Sequence, residues 1–386
     1  MNASQLQGLK SKISNILSDI SSISYTEYQK LNRDRMNRTR PEKDLKPYYL
    51  IYLLFVELLD FPYSGEEEKI SFTIPIKYKE NIFLLQHRKL GMALLSTNKS
   101  LEFDSGKIVK LVNKAIDKAK PFFDYYVNKA SNANELNIIN NSLAFYDRYD
   151  FQLELYKRKL KELTNYSNQK TIESGLDDPI SDFVNRHNHI NLLQREKKWI
   201  AISVIDSFFS LTEHIFIHAS IIQGKLLTKS EIAKLTISEW KEKFKKCIDI
   251  SIPYNLEIFN KLLCIKNNVR NHLAHGAFGK NNESFQIHSP VGAIPMILSP
   301  TTSKFSIGEN LKFTDDEIIK ILEEFIEYYW EKDNFIETIY IRSGLPTILT
   351  FALDETYKNA MISVHEMESF TKYISEMCDN AANMDW

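Results

Sequence analysis

The chain has 386 residues, 43% hydrophobic and 26% charged, which suits one large globular domain or two ordinary ones with a full core. Its 49 basic and 50 acidic side chains leave a formal net charge of -1, so no chain-wide positive field recruits nucleic acid and any phosphate contact must be local. Cys247, Cys264 and Cys378 are far apart and odd in number, which excludes a disulfide framework and a C-x-x-C metal knuckle and suits a reducing cytoplasm.

With only 11 glycines and 11 prolines, the chain favours long helices over many short strands. The N-terminus, MNASQLQGLKSKISNIL, is polar and amphipathic with no apolar signal region. A helix is expected over residues 1–32, followed by an arginine-rich connector holding Arg33, Arg35, Arg38 and Arg40. Those arginines are a candidate phosphate contact, but Asp34, Glu42 and Asp44 among them fit a solvated loop better. Residues 46–60 are apolar and helical. The run 48–59 is too short to span a bilayer and contains Glu57, so a buried core helix is expected, in a cytoplasmic protein with no membrane partner. Ile70, Phe72, Ile74 and Ile76 then alternate with polar or small residues, the period of a strand. A turn at Lys79-Glu80-Asn81 and a return strand over 82–86 complete a short hairpin. Helical spacing resumes near Lys107 and runs, with breaks, to Asn165.

The polar stretch 166–190, with Gly175 and Pro179, reads as a linker. It divides a mostly helical N-terminal domain (1–165) from a helical C-terminal domain (191–386), so the fold class is mainly α. From Leu192 onward Trp199, Ile202, Ile205, Phe209, Ile215, Phe216 and Ile222 form an apolar stripe that stops at Gly224. A second helix is expected over 236–250 with Ser238 as its cap. A third opens at Pro253 and runs to Gly276, with Leu262, Ile265, Val269 and Leu273 on one buried face. FQIHSPVGAIPMILSP reads as a short hairpin. Helices resume at Asp315 behind the cap Thr314 and continue to the C-terminus, broken near Gly344-Leu345-Pro346.

The informative stretch is Arg270-Asn271-His272-Leu273-Ala274-His275-Gly276. Gly276 suits the left-handed position past a helix end, which puts His275 in the last turn, near the partly negative end of the helix dipole. At about 100° per residue, Arg270 and His275 stand about 140° apart, whereas Asn271 and His275 share a face. Asn271 is thus placed to orient the imidazole. Arg270 must reach round, or be joined by a second copy of the motif across a two-fold axis. Such a cleft suits RNA cleavage. The 2′-hydroxyl is an internal nucleophile beside its phosphate, histidine moves protons near neutral pH, and arginine offers a planar fork to phosphate oxygens, with no metal needed.

The spacing alone arises easily by chance in a chain with nine histidines. Its context is more specific: a helical run before it, Asn directly after Arg, and Ala-His-Gly at a helix end. Here R-N-H-L-A-H-G resembles the R-x4-6-H signature of the HEPN superfamily, whose bundle of four or more helices matches the order over residues 192–340. The resemblance implies a HEPN-like helical bundle, a homodimer with a composite ribonuclease site, an RNA substrate, and no cofactor. It also implies roles like those of prokaryotic toxins and antiviral defence effectors. Arg270 and His275 map to the signature and Asn271 to its polar position. Glu213 is an accessory candidate, because acidic residues on early helices of the family sometimes support the site. His272 is a second accessory, though as a flank of the core stripe it reads more simply as a packing histidine.

The competing reading is that Arg270 and His275 bind carbonyls at a helix end. The bundle is then a catalytically silent dimerisation or RNA-binding module, and the N-terminal half, a candidate sensor, carries the function or binds a regulatory partner protein. His214 and His218 are four apart, which is metal-ligand spacing, but Glu213 precedes the first histidine, so this is not H-E-x-x-H and no metal site is expected. Asp206 and Glu213 share a face that reads first as solvated. His187 and His189 fall in the expected linker. No phosphate-binding, dinucleotide-binding or serine-hydrolase motif is present.

Overall fold

The computed structural model describes residues 1–31, 36–98, 101–168, 179–267, 285–290, 292–298, 305–307, 313–332 and 334–384. The protein is mainly α and divides into two compact units. The first holds 1–133 and 372–386, the second 134–371.

The first unit begins with α1 (Ala3–Ile16), opened by a reciprocal capping box in which Asn2 and Gln5 each accept the other's backbone N–H. Leu9 and Ile13, four apart, form its buried stripe. The helix stops there rather than continuing to residue 32. The chain extends into β1 (Ile20–Ser22), and Ser24 with Glu27 caps a separate α2 (Tyr25–Gln29). After β2 (Asn37–Arg38), α3 (Tyr48–Tyr52) widens into a π-helical segment, Leu53–Leu58, that buries Leu54, Phe55 and Leu58.

The expected hairpin is the centre of a larger sheet. Strands β3 (Ile70–Tyr78), β4 (Asn81–Arg88) and β5 (Gly91–Ser96) form a meander, with β1 on one edge and β2 on the other, all antiparallel. β1 pairs only with residues 76–78 of β3, so Pro75, which has no N–H, meets no partner on that side. Phe72, Ile74, Ile76, Phe83, Leu85 and Leu94 pack on one face with α1, the π segment and α4 (Glu102–Asn132). Leu84, Ala93 and Leu95 fill the other face with Ile23 and Tyr28. Covered on both sides, β5 reads as a continuous apolar run rather than an alternating one.

The second unit is built on α5 (Ser142–Asn168) packed along α6 (Pro179–Ile222). The division between units therefore falls after Ala133 and not at 166–190. α5 buries Tyr149, Leu153 and Tyr156, and Arg148 donates from Nε to Ser207 Oγ on α6 at 3.2 Å. Residues 179–190, expected to be linker, are the first turns of α6, where Arg186 reaches back to the carbonyls of Tyr166 and Ser167.

The second expected helix, 236–250, forms only over 240–247, and Ser238 does not open it but ends a separate helix before it. α7 (Lys229–Ile237) has a Thr228–Glu231 capping box and ends at Ser238, and α8 (Trp240–Cys247) follows. Around α6 then pack α8, α9 (Pro253–Ile265) and α10 (Asp315–Ile326), the last behind the Thr314–Glu317 capping box. Phe208, Phe216, Trp240, Phe244 and Phe325 lock these helices through edge-to-face and tilted ring pairs, each fully buried ring contributing on the order of 2–3 kcal/mol. Trp199, expected in the stripe, is exposed. Strands β6 (Asn137–Ile138), β7 (Phe285–Ser289), β8 (Gly292–Leu298) and β9 (Phe305–Ile307) add small antiparallel pieces, the last three making the expected hairpin a three-stranded sheet. α11 (Glu337–Arg342), β10 (Thr347–Ile348), α12 (Leu349–Leu353), α13 (Thr356–Ala360) and α14 (Val364–Asn383) close the chain. The helix 180–222 is long and apolar enough to cross a membrane, and 56% of its apolar window is buried inside the protein.

Candidate functional site

α9 ends at Ile265, five residues before the R-N-H-L-A-H-G run begins in sequence. Its buried face, Ile258, Leu262 and Ile265, follows the expected spacing, and helical backbone continues through Lys266. Arg270, Asn271, His272 and His275 lie outside the described residues. The described residues nearest the run in sequence are those at the end of α9, which touch α6 and α8.

Glu213 of α6 stands there. Its Oε1 accepts from Lys266 Nζ of α9 at 2.9 Å, and its Oε2 accepts from Lys243 Nζ of α8 at 2.8 Å. The lysine side chains are 13% and 6% exposed, and the Lys266 ammonium also sits 5.2 Å from the Phe209 ring centroid. Burial pushes the Glu213 carboxyl up, but the two lysine hydrogen bonds outweigh it, and the net shift is below the usual carboxylate range. Both oxygens are thus committed to ammonium groups. The carboxylate ties three helices together through a lysine that stands four residues ahead of Arg270 in sequence. The solvated acidic face expected here is not what forms: Glu213 is half-buried and paired, while Asp206 is exposed and lies 3.9 Å from Arg148.

The histidine pair of α6 is accounted for without a metal. His214 Nε2 accepts the Asn141 backbone N–H at 2.9 Å, which leaves its ring proton on Nδ1. His218 Nδ1 shares a 2.7 Å hydrogen bond with Thr347 Oγ1. Burial lowers His214 to about 4; burial and then the neighbouring His214 lower His218 to about 3. Both are neutral at physiological pH and tie α6 to the segments around β6 and β10. Among the described residues no three His, Cys, Asp or Glu side chains come together in a metal-binding group.

Sequence reading missed a third polar cluster. Cys247 Sγ lies 2.9 Å from Tyr329 Oη, and Glu337 Oε1 accepts from Gln223 Nε2 at 2.6 Å. Lys225 Nζ donates to the Cys247 carbonyl at 2.9 Å. Burial pushes the Cys247 thiol, the Tyr329 phenol and the Glu337 carboxyl all upward, so the thiol and phenol keep their protons and the cluster carries no activated nucleophile. Its members are spread from residue 223 to 337, a separation that leaves no local sequence signal. Of the arginine-rich connector, Arg38 pairs with Glu42 at 2.7 Å, and Arg33 and Arg35 lie outside the described residues.

No protein-family model matches the chain, and no curated protein and no solved structure matches it.

Proposed function

We propose that the protein is a metal-independent endoribonuclease of HEPN type that acts as a homodimer. The observation that carries the reading is the R-N-H-L-A-H-G run in the sequence, preceded by α9, whose buried Leu262 and Ile265 keep the expected spacing. The Glu213–Lys243–Lys266 cluster adds to it by tying the helix that precedes the run to α6 and α8.

In this reading one His275 takes the 2′-hydroxyl proton as O2′ bonds to phosphorus. Arg270 stabilises the charge on the phosphorane, and the P–O5′ bond breaks as O5′ receives a proton from His275 of the second copy. Asn271 holds the imidazole, and His272 supports it from the adjacent position. The products are a 2′,3′-cyclic phosphate and a 5′-hydroxyl. A nuclease of this kind needs restraint, so a role as a toxin or antiviral defence effector held in check by its N-terminal region or by a regulatory partner protein is part of the proposal. The test is to incubate the purified chain with a defined single-stranded RNA in EDTA and to read the ends of the fragments. Cyclic phosphate ends support the reading. Ends bearing a 5′-phosphate, or cleavage that needs added metal, would sink it and favour the silent-bundle alternative.

A further inference from the structure

A cavity of about 630 Å3 opens on the first unit where α3, the Tyr63–Glu66 loop, β3 and α4 meet. Its walls are Tyr48, Tyr49, Tyr52, Tyr63, Phe72 and Tyr126, with Glu66 at the rim. So many aromatic rings around one opening need a reason. Buried aromatic surface is normally packed away, yet Tyr48 and Tyr49 remain 46% and 51% exposed.

The rings are held at steep angles to one another. Tyr48 and Tyr49 meet at 85° with centroids 5.6 Å apart; Tyr52 and Tyr63 meet at 86° and 5.5 Å; Tyr52 and Phe72 are tilted by 57°. The Tyr52 hydroxyl donates to the Tyr63 hydroxyl at 3.4 Å, which fixes that corner, and this hydrogen bond and then burial push the Tyr52 phenol up, so it stays neutral. Tyr48 is braced from behind by His87, stacked on it at 3.8 Å and 2°. A cavity lined by aromatic rings set at different inclinations suits a compact cation, which is attracted to the negative face of a ring quadrupole. A nucleobase asks instead for parallel faces. Charge points the same way. Glu66 lies at the rim, Glu57 acts on Tyr52, and none of the described lining residues is basic. A phosphate would be repelled there.

We propose that this cavity is a binding site for a quaternary or methylated ammonium group, held by the tyrosine faces with Glu66 as counter-charge. The site belongs to the first unit alone and does not depend on the ribonuclease reading.

The test is calorimetric titration of the full-length protein with choline, with its uncharged isostere 3,3-dimethylbutan-1-ol, and with AMP. Choline is expected to bind at least about tenfold more tightly than the isostere, because only the cation gains from the ring faces and the carboxylate. Tyr49→Ala should weaken choline about fivefold or more, and Glu66→Gln, which changes a surface carboxylate and leaves the fold intact, should weaken choline but not the isostere. Equal binding of choline and the isostere, no saturable binding of choline, binding of AMP in preference to choline, or full choline affinity in both variants would each overturn the proposal.

Discussion

Two polar sites share α6 and solve the same problem in opposite ways. At Glu213 the helix buries a charge and surrounds it with Lys243 and Lys266. At the next position, His214, and one turn beyond it, at His218, it holds two titratable rings without a counter-charge, and they stay neutral against a backbone N–H and a threonine hydroxyl. Low-dielectric surroundings permit either arrangement, but each fails differently when its condition is removed. The Glu213 cluster depends on its carboxylate remaining ionised, whereas the histidine pair depends on its rings remaining unprotonated.

The sharpest way to break the comparison is Glu213→Ala, which removes the carboxylate shared by two nearly buried ammonium groups. A loss of about 3 kcal/mol in unfolding free energy is expected, the lower end of the range for breaking a buried pair because the carboxyl is partly exposed. Denaturant unfolding reads it, and a loss under about 1 kcal/mol would mean that the lysines find other partners or water.

The two sites should also separate along the pH axis. In the unfolded chain each histidine takes a proton below its ordinary value of 6.5, while in the folded protein His214 stays neutral to about 4 and His218 to about 3. The unfolded state therefore binds more protons over that interval, and stability falls as pH drops. The fall is about 1 kcal/mol per imidazole between roughly pH 6.5 and 5.5. Glu213 behaves differently, since its folded value lies below the ordinary 4.5. Its contribution is present above 4.5 and is lost only as pH falls through the lowered folded value. His218→Gln should halve the fall over the first interval and leave the second. An unchanged pH profile in that variant would contradict the neutral-pair account.

Smaller effects calibrate these. Thr314→Ala removes the hydroxyl that accepts the Glu317 N–H at the start of α10 and should cost about 1 kcal/mol in the same unfolding experiment. Arg38→Ala breaks an i,i+4 pair in which the arginine is exposed but the Glu42 side chain is only 10% exposed, and should cost no more than about 1 kcal/mol, less in high salt.

The same contrast explains what the sequence reveals. Local patterns are legible: the period of Ile70, Phe72, Ile74 and Ile76, the Thr314 cap, the Gly224 stop at φ 69° and the buried face of α9 all appear where the residues call for them. What is hidden is pairing at long range. Glu213 looks like a solvated acid until Lys243 and Lys266, 30 and 53 positions away, close on it. β1 and β2, with three and two residues, are too short to show a period, so a five-stranded sheet reads as a hairpin. The N-terminal turns of α6 carry Asn185, Asn188 and two histidines, and their polarity reads as linker although the helix runs through them. α5 shows its amphipathic face but not the partner that face packs on, which is why the division between units was expected some 30 residues too late. For the ribonuclease run itself the sequence is the whole basis of the assignment, since Arg270, Asn271, His272 and His275 lie outside the described residues.

The measurement that bears most directly on the central claim is the rate of RNA cleavage by His275→Ala beside the unaltered protein, in EDTA, with both shown to unfold at the same denaturant concentration. Loss of a general acid–base at this position should lower the rate by at least about 100-fold. Cleavage at an undiminished rate by the folded variant would contradict the assignment of the R-N-H-L-A-H-G run as the active site.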